Sequence, residues 1–192
     1  MKLVLLGSGS GTNALSILQE FQNDKLGKVS EISLFSDVKD SGFLKHGTAF
    51  GCKTSYLKTC PNRARIIGDY EANWIEEIDS HKPELIVLAG FMKILSKNFI
   101  HFFHGRIINL HPSILPSFKG LGAIERAFTH GVKITGCTVH WVNNSIDCGQ
   151  IIDQTPVRIF DDDDLDKVTS RVHAAEHYLL PKVIRELSEN IG

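Results

Sequence analysis

Short runs of consecutive apolar residues recur along the chain, separated by stretches in which apolar positions return every three or four residues. Runs of the first kind, bounded by turn formers, mark strands buried on both faces; spacings of the second kind mark helices with one buried face. Lys2 to Leu6 is the first such strand, and it ends in Gly7-Ser8-Gly9-Ser10-Gly11-Thr12-Asn13. From Ala14 onward, Leu15, Leu18 and Phe21 recur at helical spacing, with Thr12 or Asn13 suited to cap the helix. Ile32 to Phe35 predicts a second strand, Gly42 to Phe50 a short helix and Cys52 to Leu57 a third strand. Ile67, Tyr70, Trp74, Ile75 and Ile78 give residues 66–80 an apolar helical face that ends before Lys82-Pro83. Glu84 to Gly90 is another buried strand closed by glycine, and Phe91 to Leu95 the loop at its carboxyl end, with Ser96 capping the next helix. Ile107 to His111 predicts a strand, Gly120 to His130 a helix, Lys133 to Val142 a strand and Ile151 to Phe160 another. The last helix begins near Asp161 to Asp164, with Leu165, Val168, Val172, Ala175, Leu179, Val183 and Leu187 on one face and Pro181 expected to kink or divide it.

Alternating strands and helices of this kind predict a doubly wound α/β fold. Its sheet is expected to be mostly parallel and flanked by helices, becoming mixed or antiparallel in the last third, where helices are scarce. The 192 residues fit a single domain spanning 1–192, with no internal repeat or linker. A formal net charge of -1 gives no general electrostatic reason to expect a nucleic acid or an anionic membrane as partner, so any anion must be bound locally. Cys52, Cys60, Cys137 and Cys148 are scattered without a Cys-x-x-Cys pair, which points to reduced thiols in a cytoplasmic protein. The apolar run Leu3 to Leu6 is too short for a signal peptide, and no stretch approaches membrane-spanning length.

The stretch Asn109-Leu110-His111-Pro112 carries the first candidate chemistry. Asn109 and His111 are two apart on a strand, so their side chains leave on the same side. Pro112 then denies the ladder an N–H, and Pro116 keeps the following backbone out of a helix. Asn can donate to a developing oxyanion, and His carries a proton near neutral pH. The glycine loop is an anion site, because free N–H groups and the positive end of a helix converge there. Gly9-Ser-Gly11-Thr-Asn-Ala14 also fits the dinucleotide pattern G-x-G-x-x-A, with Asp37 placed to hold a ribose hydroxyl, so an NAD-binding oxidoreductase or a nucleotide-sensing module is the alternative reading. His173-Ala-Ala-Glu176-His177 matches a zinc-protease pattern, but too little chain follows for a third ligand, and packing is the better account. The Asp161 to Asp164 run reads as acidic groups opposing a helix dipole. Asp147 lies in a turn after a strand, and a carboxylate brought near His111 would favour the imidazolium.

Five ordered motifs together resemble the phosphoribosylglycinamide (GAR) formyltransferases of purine biosynthesis, and the resemblance covers nearly the whole chain. They are Ser8-Gly-Ser-Gly-Thr-Asn13, Leu88-Ala-Gly-Phe-Met-Lys-Ile-Leu95, Asn109-Leu-His-Pro-Ser-Ile-Leu-Pro116, Gly136-Cys-Thr-Val-His140 through Asp147-Cys-Gly149, and Arg171-Val-His-Ala-Ala-Glu-His177. The resemblance implies formyl transfer from 10-formyltetrahydrofolate, a co-substrate, to the amine of GAR, with no metal. It implies that His111 moves the proton of the tetrahedral intermediate, Asn109 donates to its oxyanion and Asp147 keeps His111 basic. Gly11, Thr12 and Asn13 would hold the GAR phosphate and Glu176 the rest of GAR. Met92, Lys93, Ile94 and Leu95, with the loop Asn143, Asn144, Ser145, Ile146 and Asp147, would line the pterin pocket, largely through backbone. A basic residue for the folate tail falls on Arg65, with Arg63 as its rival. Lys93 stands where many relatives have Arg, and Ser117 where some have Lys. A homodimer is compatible with this reading. Methionyl-tRNA formyltransferases share the Asn-x-His core but normally add an RNA-binding domain and a more basic surface, and formyl-folate hydrolases normally add a regulatory domain.

Overall fold

The computed structural model describes residues 1–59, 65 and 68–190. In chain order the elements are β1 (Lys2–Leu6), α1 (Thr12–Gln22), β2 (Glu31–Ser36), α2 (Gly42–Ala49), β3 (Lys53–Tyr56), α3 (Asp69–Ser80) and β4 (Leu85–Leu88). They continue as α4 (Lys97–Phe102), β5 (Ile107–His111), α5 (Ala123–His130), β6 (Ile134–Trp141), β7 (Ile151–Arg158) and α6 (Leu165–Asn190). The strands form one sheet in the order β3-β2-β1-β4-β5-β6-β7. The pairings among the first five strands are parallel, while β5–β6 and β6–β7 are antiparallel. The predicted architecture is the one observed.

Consecutive apolar residues are needed in β1 because the sheet is covered on both sides. Leu3 and Leu5 face Ile17 and Leu18 of α1 and Leu179, Val183 and Ile184 of α6. Val4 and Leu6 face the opposite way, onto Trp74 and Ile78 of α3, Phe99 of α4 and Phe103 at its C-terminal end. Each such side chain removed from water contributes about 1.5–3 kcal/mol. Truncating Trp74, 1% exposed and bonded through its indole N–H to Lys58 O at 2.9 Å, would cost about 3–5 kcal/mol. Val157 and Ile159 pack on Val168 and Val172 of α6, with Ile124 and Phe128 of α5 completing that end.

Strand order reverses between β1 and β4, and in open α/β sheets ligands bind in the crevice at the carboxyl ends of such strands. Two loops meet there. The Ser8 N–H donates to Gly90 O at 3.2 Å, and the Met92 N–H donates to Ser8 Oγ at 3.0 Å, tying the glycine loop to the segment after β4.

Three local expectations are corrected. The N-cap of α1 is Gly11 rather than Thr12 or Asn13, and no side chain caps it. Gly11 has φ +81°, and a Cβ there would meet Phe43 Cα at 2.5 Å, so close packing of α2 selects glycine. Pro181 does not divide α6, which runs unbroken through it while Leu179, Leu180, Val183 and Ile184 are buried around it. Helix α5 starts at Ala123, because Gly120 and Gly122 both take positive φ and form a turn before it.

Candidate active site

Strand β5 ends in His111, and its antiparallel partner β6 sets Asn109 opposite His140 and His111 opposite Thr138. His111 is 5% exposed, and its imidazole is held on both sides. Its Nδ1 lies 3.4 Å from Asp147 Oδ2, and its Nε2 contacts Phe118 O at 2.9 Å. Asp147 takes a positive φ of 50° in the loop after β6, and its Oδ2 also accepts the Gly120 N–H at 2.7 Å. The loop after His111 is fixed from β6 and β7. Thr138 Oγ1 donates to Ser113 O at 2.6 Å and accepts the Leu115 N–H at 3.1 Å, while Gln154 Nε2 donates to Leu115 O at 3.0 Å.

His140 orients Asn109. Burial holds its imidazole below the ordinary histidine range, outweighing the opposite pull of Trp141 O and Asp147, so the ring is neutral at pH 7. Its Nδ1 donates to Trp141 O at 2.9 Å, which leaves Nε2 as an acceptor for Asn109 Nδ2 at 3.2 Å. One amide hydrogen of Asn109 is thereby committed to β6, and the other remains to donate elsewhere. Alternation along β6 already put His140 on the face shared with Thr138, but only the β5–β6 register reveals its partner.

At the glycine loop, the first helical bond of α1 is Leu15 N–H to Gly11 O at 2.9 Å, so the N–H groups of Thr12, Asn13 and Ala14 precede the internal ladder. Asn13 Nδ2 donates to Glu176 Oε2 at 3.3 Å. Among the described residues, the buried Asn13 Oδ1 has no partner. Burial raises the Glu176 carboxyl from 4.5 to about 7, against the opposing hydrogen bond from Asn13. The Glu of the His-x-x-Glu-His pattern is therefore engaged by the glycine-loop asparagine. Among the described residues there is no group of three His, Cys, Asp or Glu side chains that could hold a metal.

The segment after β4 shows mixed exposure. Met92 is 64% exposed and Ile94 partly so, whereas Leu95 packs into the core. Lys93 Nζ lies 3.6 Å from Asp37 Oδ2, with both side chains about nine-tenths buried, so Asp37 is turned to a lysine rather than to a ribose site. Arg65 forms an isolated parallel bridge with Ile94, which sets it beside this segment. Arg63 lies outside the described residues. In the loop after β6, the Ser145 N–H donates to Asn143 Oδ1 at 2.9 Å and Asn143 Nδ2 to Cys148 O at 3.1 Å; Asn144 and Ile146 are exposed.

A family model described as formyl transferase matches residues 1–184. The chain belongs to the formyl transferase family. It is 36% identical over 184 residues to the phosphoribosylglycinamide formyltransferase of Escherichia coli K12, covering 96% of this chain and 85% of that relative. It is 34% identical over 188 residues to the phosphoribosylglycinamide formyltransferase of Bacillus subtilis, covering 97% and 94%. The solved structure of glycinamide ribonucleotide transformylase 1 from Symbiobacterium toebii superposes with a TM-score of 0.90 at 33% identity, covering 99% of this chain and 88% of that one. Family membership and the pairing of Asp37 with Lys93 replace the dinucleotide reading of the glycine loop. Asn109, His111, His140 and Asp147 all lie within the family match.

Proposed function

We propose that this formyl transferase moves the formyl group of 10-formyltetrahydrofolate to the amine of GAR in purine biosynthesis. The observation that carries the reading is the His111–Asp147 pair at 3.4 Å with Asn109 on the same strand, β5, which lies next to β4 in the sheet, on the side away from β1 and its glycine loop. The GAR amine attacks the formyl carbon, and the second N–H of Asn109 donates to the oxygen that becomes negative. His111 accepts the proton lost by the attacking nitrogen and returns one to the departing folate nitrogen, so no net proton is left on the protein. Asp147 holds the ring and balances its charge while the proton resides there.

GAR binds by its phosphate at the N–H groups of Gly11, Thr12 and Asn13, where uncapped donors suit an anion. A sugar hydroxyl satisfies Asn13 Oδ1, which is buried without a partner among the described residues, and another bonds Glu176. The pterin lies against the backbone of Met92 to Leu95 and the loop Asn143 to Asp147, with Arg65 reaching the folate tail. No described helix is long and apolar enough to cross a membrane. We assign the activity to the cytoplasm on the scattered cysteine spacing, with Cys52, Cys137 and Cys148 free among the described residues.

A formyl-transfer assay with both substrates tests the reading directly; the expected result is formyl-GAR formation that requires both. Thermal stabilisation by NAD, with none by GAR or a folate analogue, would overturn it in favour of a nucleotide site.

A further inference from the structure

We propose that Arg126 is a positioning residue for the His111–Asp147 pair, acting through the backbone of the turn Phe118-Lys119-Gly120. The inference rests on the reading of His111 as the proton carrier.

That turn touches both members of the pair. The carbonyl of Phe118 accepts from His111 Nε2 at 2.9 Å, and the N–H of Gly120 donates to Asp147 Oδ2 at 2.7 Å, the same oxygen that lies 3.4 Å from His111 Nδ1. A shift of the turn therefore moves the ring and its carboxylate together. The turn is not a relaxed one. Phe118 has φ 54°, a left-handed conformation that residues with a Cβ avoid, and its carbonyl and that of Lys119 converge on one point. Two carbonyl dipoles aimed at one place repel each other unless a donor, best a cationic one, sits between them.

Arg126 supplies that donor from the first turn of α5. Its Nη2 donates to Phe118 O at 2.9 Å and to Lys119 O at 2.5 Å. Phe118 O is thus shared between the guanidinium and the His111 ring. A second tie runs from the same turn to the neighbour of Asp147, where Lys119 Nζ approaches Cys148 Sγ at 2.9 Å. Arg126 is exposed, and its hydrogen bonds to Phe118 O and Lys119 O involve neither the glycine loop nor Glu176, so its loss is expected to leave the GAR contacts in place. Without it the converging carbonyls separate, Nε2 loses its fixed acceptor, and the ring loses one of its two anchors.

The test uses the full chain with Arg126→Ala, Arg126→Lys and His111→Ala, with kcat, the GAR KM and the imidazole nitrogen resonances of His111 in histidine-labelled protein. The His111 signals are assigned by their loss in His111→Ala. For Arg126→Ala we expect kcat to fall about tenfold with the GAR KM held within about twofold, because misplacement of a reacting group lowers turnover more than binding. The His111 Nε2 resonance should move, and Arg126→Lys, which restores a cationic donor, should recover most of kcat and the resonance. Parental kcat with unmoved His111 resonances in Arg126→Ala would overturn the inference, as would a kcat loss that Lys does not recover at all. If His111→Ala retains turnover, the proton-carrier reading fails. If it is inactive while Arg126→Ala is parental, only the role of Arg126 fails.

Discussion

Asp147 Oδ2 lies 3.4 Å from His111 Nδ1 and accepts the Gly120 N–H at 2.7 Å, so one carboxylate oxygen serves both the histidine and the turn beside it. Asp147→Asn keeps an oxygen for the Gly120 N–H but removes the charge that balances an imidazolium. We predict a fall in kcat of about 10- to 100-fold with the GAR KM little changed, read by steady-state kinetics. A variant with parental kcat would remove Asp147 from the mechanism.

His111→Ala removes the proton carrier and leaves the glycine loop untouched. Formyl transfer should drop by about 10²–10⁴-fold, while GAR binding measured by calorimetry stays parental. Loss of GAR binding instead would place His111 in the wrong pocket.

Asn13 joins two parts of the proposed GAR site, through its N–H at the start of α1 and through its side chain to Glu176 at 3.3 Å. Asn13→Ala should raise the GAR KM by about 10-fold, the loss of one or two hydrogen bonds, and leave the folate KM unchanged. A selective effect on folate would mean that the two pockets are exchanged.

The parts of the fold legible in the chain were those set by local pattern. Leu3 to Leu6 and Leu85 to Leu88 read as strands because a sheet covered on both faces demands unbroken apolar runs. Asn109 and His111 read as a pair because strand geometry alone puts them on one side. The contact of His140 with Asn109 depends on antiparallel register, and that of Asp147 with His111 on the path of a loop, neither of which leaves a periodic trace. The expectation that Pro181 could divide the last helix misled for a related reason. The helix-breaking tendency of Pro181 is local, whereas the burial of Leu179, Leu180, Val183 and Ile184 against the sheet is tertiary and stronger. Arg126 left no signal either, since its partners are backbone carbonyls.

His140 links acidity to stability. Burial keeps its folded-state value below the ordinary 6.5, so the unfolded chain binds the proton more readily, and the contribution of His140 is present above 6.5 and lost as pH falls toward the folded value. A protonated Nε2 also cannot accept from Asn109. His140→Leu leaves Asn109 Nδ2 and Trp141 O without these partners and should cost about 1–3 kcal/mol at pH 8. The gap between the variant and the parent, from denaturant unfolding, should narrow at pH 5. A gap that is constant with pH would show that His140 does not titrate on unfolding.

Glu176 has the opposite sign. Its carboxyl rises from 4.5 to about 7 in the fold, so the neutral form is the one burial favours. The contribution is intact below 4.5 and is lost as pH climbs through about 7, with a full difference on the order of 3 kcal/mol. Glu176→Gln stays neutral and keeps an oxygen for Asn13 Nδ2, so it should unfold at a higher temperature than the parent at pH 8 and at nearly the same temperature at pH 4.5. The same change should raise the GAR KM, because a carboxylate accepts from sugar hydroxyls more strongly than an amide does. Greater stability at pH 8 together with weaker GAR binding would identify the buried charge as a cost of substrate recognition. Equal stability of variant and parent at both pH values would show that Glu176 is not desolvated in solution.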